Sequence, residues 1–417
     1  MQHKKWMAAA AVAAAGALAL AGCSSSAPPK ASAPVTITYT NFISAGGNEA
    51  NLTTIVKAFE KANPNITVKV DTVPYTNYDT KLQTDLAAGT ASDVFDIDGV
   101  GNYLNYQANG QLAQITGADA SLYSAALLDS YQTGDKQYGL PTSFSAVILY
   151  YNKALFDAAG VSYPSSSWTW SDEMAAAKKI SDPAKGVFGL YQPVTYNEFY
   201  KVLVQNGGSF LNQAGTKVAF NNAKGVAAAN WLVQKSGTVM PTVAQGQGTP
   251  NDDTNLFLAG KLGMDITGTW EIGAFAKAVS PWDIAVEPGN TKQASATFSN
   301  AVGIAVTSKH KDAAEKWAEY LSSSKEEVNV RISKGWELPT IANKTQLAQY
   351  LKEGAPDNRQ AVFDAAKSIA QSPVLGSNGN QIQDIMTNEL VEAQAGRSTV
   401  AQALAAAASQ INALLGQ

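Results

Sequence analysis

Cysteine is almost missing from this chain of 417 residues: Cys23 is the only one. With no second thiol, an intramolecular disulfide is excluded in any redox compartment. Histidine is nearly as scarce. Only His3 and His310 occur, and His310 stands between Lys309 and Lys311, the setting of a solvated surface loop. A histidine-based triad or histidine-ligated metal cluster is therefore not expected, and nothing calls for a cofactor. Positive charge is not in excess either, since 30 Lys and Arg stand against 34 Asp and Glu, a net charge of −4. No basic patch is interleaved with aromatics, which argues against a nucleic-acid partner. After the first 20 residues no apolar run is long enough to cross a bilayer.

What is present begins at the N-terminus. His3, Lys4 and Lys5 precede an alanine-rich apolar run from Met7 to Leu20. The run is shorter than the roughly 20 residues a spanning helix needs, and small residues follow it, so residues 1–22 read as a secretory signal peptide. Leu20-Ala21-Gly22-Cys23 resembles the lipobox of bacterial lipoproteins, which implies lipidation and cleavage at Cys23. Two acyl chains suffice for stable anchoring. Residues 23–34, rich in Ser, Ala and Pro, then read as a solvated tether that holds a folded body at the outer face of the cytoplasmic membrane.

The length beyond the tether exceeds the roughly 250–300 residues at which single cores stop growing, so two domains are expected. Val35, Ile37 and Tyr39 alternate with threonines as a strand, and Leu52, Ile55, Val56 and Phe59 recur at helical spacing. Asn63-Pro64 stops that helix, and Ile66, Val68 and Val70 form a second strand. Strand, helix, strand in this order predicts a parallel α/β sheet. Further strands are expected at Val94–Ile97, Ala146–Tyr151, Leu262–Ile266 and Val302–Val306. Helices are expected at Tyr78–Leu86, from an N-cap at Ser171 to Ile180, at Ala314–Leu321 and at Val400–Leu415.

The order of several short segments resembles the maltose-binding type of extracellular solute-binding proteins. These are Phe59 to Val68, Tyr78 to Leu82 with Ala87-Ala88-Gly89, Tyr138-Gly139-Leu140-Pro141 and Leu149 to Lys153. Phe257 to Lys261, Gly268-Thr269-Trp270, Gly303 to Val306 and Gly335 to Thr340 continue the series. The resemblance implies an α/β fold of two lobes with a multi-strand hinge and an interlobe ligand cleft. By analogy lobe 1 holds residues 35–144 and 301–340, and lobe 2 holds 145–300 and 341–417. It implies a monomer that captures a sugar or oligosaccharide by hinge closure and hands it to the permease subunits of an ABC transporter.

A sugar presents hydroxyls and an apolar C–H face, so aromatic platforms beside carboxylate and amide side chains are the groups to look for. Trp270, after a strand and a glycine, aligns with the family's sugar-stacking tryptophan, and Glu271 beside it either accepts from hydroxyls or favours a helix start. Asp98 lies just past a buried strand, as a hydroxyl acceptor or a turn former. Asn41, Asn48 and Glu49 flank the Gly46-Gly47 loop, where Asn48 equally reads as a helix cap. Tyr78 fits the cleft or the core. Ser143 and Ser145 precede the first crossing, and Ser145 replaces the family's glutamate. Tyr196 and Asn197 resemble another aromatic contact, and Trp336 and Glu337 lie near a later crossing. Trp168, Trp170, Trp231, Trp282 and Trp317 read as packing residues. Two other functions stay open at this stage. A secreted carbohydrate-active enzyme needs only two carboxylates flanking one bond, and the same fold serves other polar solutes or a purely sensory role.

Overall fold

The computed structural model describes residues 33–246, 249–340 and 344–416. The segment expected to be a signal peptide, Cys23 and all but the last two residues of the expected tether lie outside the described residues.

The first strand, β1 (Val35–Asn41), keeps the alternation of its sequence, with Ile37 and Tyr39 inward. Helix α1 (Glu49–Ala62) buries Leu52, Ile55, Val56 and Phe59 as one stripe and stops at Asn63. β2 (Ile66–Thr72) then pairs with β1 in parallel, Val35 opposite Ile66. Pro74 precedes α2 (Tyr75–Ala88), which buries Tyr78, Leu82 and Leu86 and ends at the left-handed Gly89. β3 (Val94–Ile97) is buried along its whole length and leads into α3 (Gly99–Ala108).

Two long strands follow, β4 (Gly139–Asn152) and β7 (Ser295–Ile304). Between them in the chain lie β5 (Met264–Gly268) and β6 (Trp282–Ala285). The sheet runs β2-β1-β3-β7-β4-β5, and β6 also pairs with β4. β7 is antiparallel to both β3 and β4. The β4 ladder shifts register between Pro141 and Ser143, where proline offers no N–H.

These two strands pass from one hydrophobic core to another. Leu140, Val302 and Ile304 pack with Ile37, Tyr39, Leu52, Phe59 and Trp317. Ala146 to Tyr151 and Ala296 belong instead to a larger core with Leu190, Phe199, Leu232, Met264, Ile284 and Leu404. A third cluster, around Tyr78, Phe95, Tyr103 and Ala301, lies in the part of the chain that holds the first core. The segment from Trp336, in the first core, to Leu338, in the second, makes another passage. It is pinned by reciprocal backbone bonds between Phe144 and Leu338 of 2.8 and 3.1 Å. The middle of each passage is thus held by neighbouring strands and lies between the two apolar interiors.

Three local expectations change. The strand expected at Ala146–Tyr151 is longer, because its first half runs through the crossing, where apolar periodicity is lost. The helix ending at Ile180 is capped by Thr169, whose N–H and hydroxyl both donate to Asp172 at 2.8 Å, not by Ser171. β7 ends at Ile304, and Val306 is exposed. The five tryptophans read as packing residues do pack: Trp170 stacks on Trp231 at 4.7 Å, Trp168 on Phe156 at 6.2 Å, and Trp282 and Trp317 are buried.

Candidate functional site: two aromatic faces at the crossing strands

The loop after β1 is fixed from beneath. Asp96 on β3 accepts from the Tyr39 hydroxyl at 2.5 Å and from the backbone N–H groups of Phe42 and Ile43 at 3.1 and 3.2 Å. Burial pushes its carboxyl up to about 6 against these stabilising bonds. The Phe42 ring so held meets Tyr78 at 4.8 Å and Tyr75 at 5.4 Å. Tyr75 is the first residue of α2 and is 60% exposed. Its hydroxyl lies near the carboxylate of Asp98, the N-cap of α3, whose charge holds the tyrosine well above its usual range. Phe42, Tyr75 and Asp98 therefore form one face at the C-terminal ends of three parallel strands, where open α/β sheets place ligands.

A second aromatic face stands on the other core. Trp270 follows β5 and is 37% exposed, its ring edge-to-face with Phe298 of β7 at 5.8 Å. A Cβ on Gly268 would come within 2.0 Å of the Trp270 ring, so only glycine lets the indole lie over that turn. The Tyr150 hydroxyl holds the Gly268 carbonyl at 2.9 Å. Both faces adjoin β7. Tyr131 donates to the carbonyl of Ser299, the neighbour of Phe298, and Asp98 lies close enough to Tyr131 to raise its pKa. α3 also packs against Gly376–Asn378, a segment beside the second core.

Both faces carry carboxylates whose strongest charged neighbours are other carboxylates. Burial, then Asp79, pushes Asp98 up to about 7, opposed by the neighbouring Tyr75 hydroxyl. Burial, then Asp253, pushes Glu271 up to about 7. Such groups are suited to hydroxyl donors and hostile to anions. Among the described residues, no group of three or more acidic, histidine or cysteine side chains is placed to hold a metal ion.

The residues singled out in the sequence divide. Trp270, Glu271 and Asp98 come to the two faces. Glu49 opens α1 and turns its carboxylate back onto the loop, accepting from the N–H groups of Gly46 and Gly47 at 3.2 and 3.1 Å, where both glycines have positive φ. Asn48 takes the N-cap position, but its side chain accepts from Asn51 rather than from a helix N–H. Asn41 is buried, accepting from Ser44 and donating to Thr72. Tyr78 lies in the core, its hydroxyl donating to the carbonyls of Thr40 and Asp96, because its spacing to Leu82 and Leu86 puts it on the buried stripe. Tyr196, the first residue of α4 (Tyr196–Gln205), is likewise buried, against Tyr200 of the same helix and Phe210 beyond its end, and Asn197 is half-buried beside it. Trp336 is buried and donates to the Ile43 carbonyl at 3.0 Å. Ser143 and Ser145 sit in the crossing, bonded to Asn300 and Glu337.

Tyr75 and Phe298 were not among the expected contacts. A tyrosine directly after proline at the end of a strand, ahead of the buried stripe, was the available signal for the first. Phe298 had none, since its role depends on where Trp270 lands.

A groove of about 490 Å³ lined by Lys309, His310, Lys311 and Lys316 opens beside Val35, at the opposite end of β1 from Phe42. It has no aromatic wall and is separate from the two faces described.

Fold and site together define a two-core α/β binding protein. Residues 45–328 match the family model described as bacterial extracellular solute-binding protein, and the chain belongs to that family. An ABC substrate-binding protein of Listeria monocytogenes, solved in complex with cycloalternan, superposes with a TM-score of 0.86 at 39% identity, over 92% of this chain and 99% of that one. The galactooligosaccharide-binding protein of Bacillus subtilis is 27% identical over 85% of this chain and 84% of its own length. A solute-binding protein of Thermotoga lettingae bound with alpha-D-tagatose shares the fold, with a TM-score of 0.81 at 24% identity and coverage of 92% and 100%. The fold is thus the mixed α/β one of periplasmic binding proteins, and membership places the chain among proteins that bind solutes rather than transform them.

Proposed function

We propose that this protein is the capture subunit of an ABC importer for a neutral oligosaccharide, taken between the Tyr75–Phe42–Asp98 face and the Trp270–Phe298 face. The observation that carries the reading is this pair of exposed aromatic surfaces on two separate cores, each with a carboxylate beside it. A sugar ring stacks its C–H face on an indole while its hydroxyls donate to the carboxylates. The cycloalternan and galactooligosaccharide relatives support an oligosaccharide over a single ring. Asp98, Tyr75, Trp270 and Glu271 are the contacts proposed first, with Asn48, Glu49, Ser143, Ser145 and Asn197 at the margins.

In this reading the body divides into lobe 1, residues 35–144 and 301–340, and lobe 2, residues 145–300 and 341–417. The core memberships support that division with one adjustment: Val328, Ile332 and Leu338 pack with the second core. Ligand favours the shut form only by touching both lobes, since equal affinity for both states shifts nothing. The permease then recognises the shut shape. The protein acts as a monomer, anchored through lipid on Cys23 at the outer face of the membrane.

A thermal-shift screen of the body from residue 33 against mono- and oligosaccharides tests this. A specific ligand at a hundredfold excess over its Kd stabilises by about 2.7 kcal/mol. Stabilisation by neutral oligosaccharides, returned intact, is expected. A response confined to anionic or non-sugar solutes, or cleavage of the sugar, would overturn the proposal.

A further inference from the structure

The crossing near residue 337 holds a polar network that neither hydrophobic core requires. Glu337 lies between Trp336, in the first core, and Leu338, in the second, and is almost wholly buried. Its backbone has φ +55, a left-handed conformation that a non-glycine residue adopts only under constraint. The constraint is visible. Its Oε1 accepts from the Ser145 hydroxyl of β4 at 2.7 Å, and its Oε2 faces Nη1 of Arg331 at 3.4 Å.

Arg331 lies on a helix, Lys325–Lys334, and is fully buried. It donates to Glu327 and to the Trp336 carbonyl, with its guanidinium 4.6 Å from the Trp336 ring centroid. The Trp336 indole in turn donates to the carbonyl of Ile43, next to Phe42 of the ligand face. Glu337 also lies near enough to act electrostatically on Asp98. One carboxylate thus touches a crossing strand and an arginine. Through its neighbour it reaches the loop that carries half the proposed site.

We propose that Glu337 is a positioning residue for capture. Its bond to Ser145 and its ion pair with Arg331 latch the crossing segment in the shut geometry, and the strained backbone at 337 is relaxed when the lobes part. The inference rests on the proposed closure of two lobes around ligand. It assigns the setting of the open–shut balance to one residue.

The test uses spin labels on two exposed sites, Lys57 in lobe 1 and Lys217 in lobe 2, each changed to cysteine in the body from residue 33. Distance distributions are recorded with and without cycloalternan. In the parent protein, ligand should shorten the distribution; no change would remove the closure reading and this proposal with it. Glu337→Gln keeps the backbone and side-chain size but loses the ion pair. Glu337→Gly loses the Ser145 bond and the ion pair but also lifts the strain that the shut form carries, so its ligand-free distribution should lie closer to the parent than that of Glu337→Gln. Glu337→Gln should move the ligand-free distribution towards the longer distance and weaken cycloalternan binding at least threefold, while the saturated distribution matches the parent. A purely structural role would lower the melting temperature without moving the ligand-free distribution. A direct ligand contact would weaken binding with that distribution unchanged. Either result overturns the latch.

Discussion

Replacing Trp270 with alanine probes the proposed stacking surface, and its size follows from the exposed fraction of the indole. A tryptophan contributes roughly 250 Å² when fully covered, and Trp270 is 37% exposed. A sugar ring covering that fraction removes about 90 Å² of mostly apolar surface, worth about 2 kcal/mol at ~25 cal/mol per Å². Trp270→Ala should therefore raise the Kd by roughly 30-fold. The part of the ring packed on Phe298 and Gly268 also matters to the ligand-free fold. Its loss should cost about 2 kcal/mol, below the ~3–5 kcal/mol of a fully buried tryptophan. Isothermal titration with a neutral oligosaccharide that stabilises the protein in the thermal-shift screen measures the first quantity and urea unfolding the second. An affinity change under threefold with a stability loss in the fully buried range would assign Trp270 to the core and refute the stacking argument.

Gly268→Ala should produce a similar loss of affinity with the tryptophan still present, because the new Cβ would sit 2.0 Å from the ring; the same titration checks it. Asp98, raised to about 7, gives a pH signature. The folded state keeps a proton that the unfolded chain loses near pH 4, so this group's stabilising contribution is full below that pH and lost as pH rises through 7. Asp98→Asn should flatten the fall in melting temperature between pH 5 and 8, and it should abolish a rise in sugar affinity over the same range. Lys201, fully buried between Glu198 at 2.7 Å and Glu287 at 2.8 Å, tests the second core. Lys201→Met leaves two buried carboxylates without their cation and should cost about 3–5 kcal/mol in urea unfolding.

The sheet was most legible where burial is one-sided or complete. β1 and β2 show period-two alternation, and α1 shows a clean apolar stripe, because each packs one face on a single core. β4 was only half legible. Its Ala146–Tyr151 half is apolar on both faces, whereas Gly139–Ser145 runs between cores and is held by pairing with β7 and Leu338. The expected division into discontinuous lobes came from family resemblance alone, since no local pattern says that β7 returns beside β3. In the site, Trp270 was readable from a strand, a glycine and an aromatic in sequence. Tyr78 was ambiguous because a core tyrosine and a cleft tyrosine on the same stripe have the same spacing. The Glu198–Lys201–Glu287 cluster was invisible: charges three apart on a helix look like a surface pair until the tertiary packing buries them.

The most direct test of the whole account is a crystal structure of the body from residue 33 grown with a neutral oligosaccharide that stabilises it in the thermal-shift screen. The account predicts a sugar ring against the exposed face of Trp270, with Asp98 and Tyr75 in hydrogen-bond contact from the opposite lobe. Density for the sugar elsewhere, such as the groove beside Lys309 and His310, with the Trp270 face left bare, would contradict it.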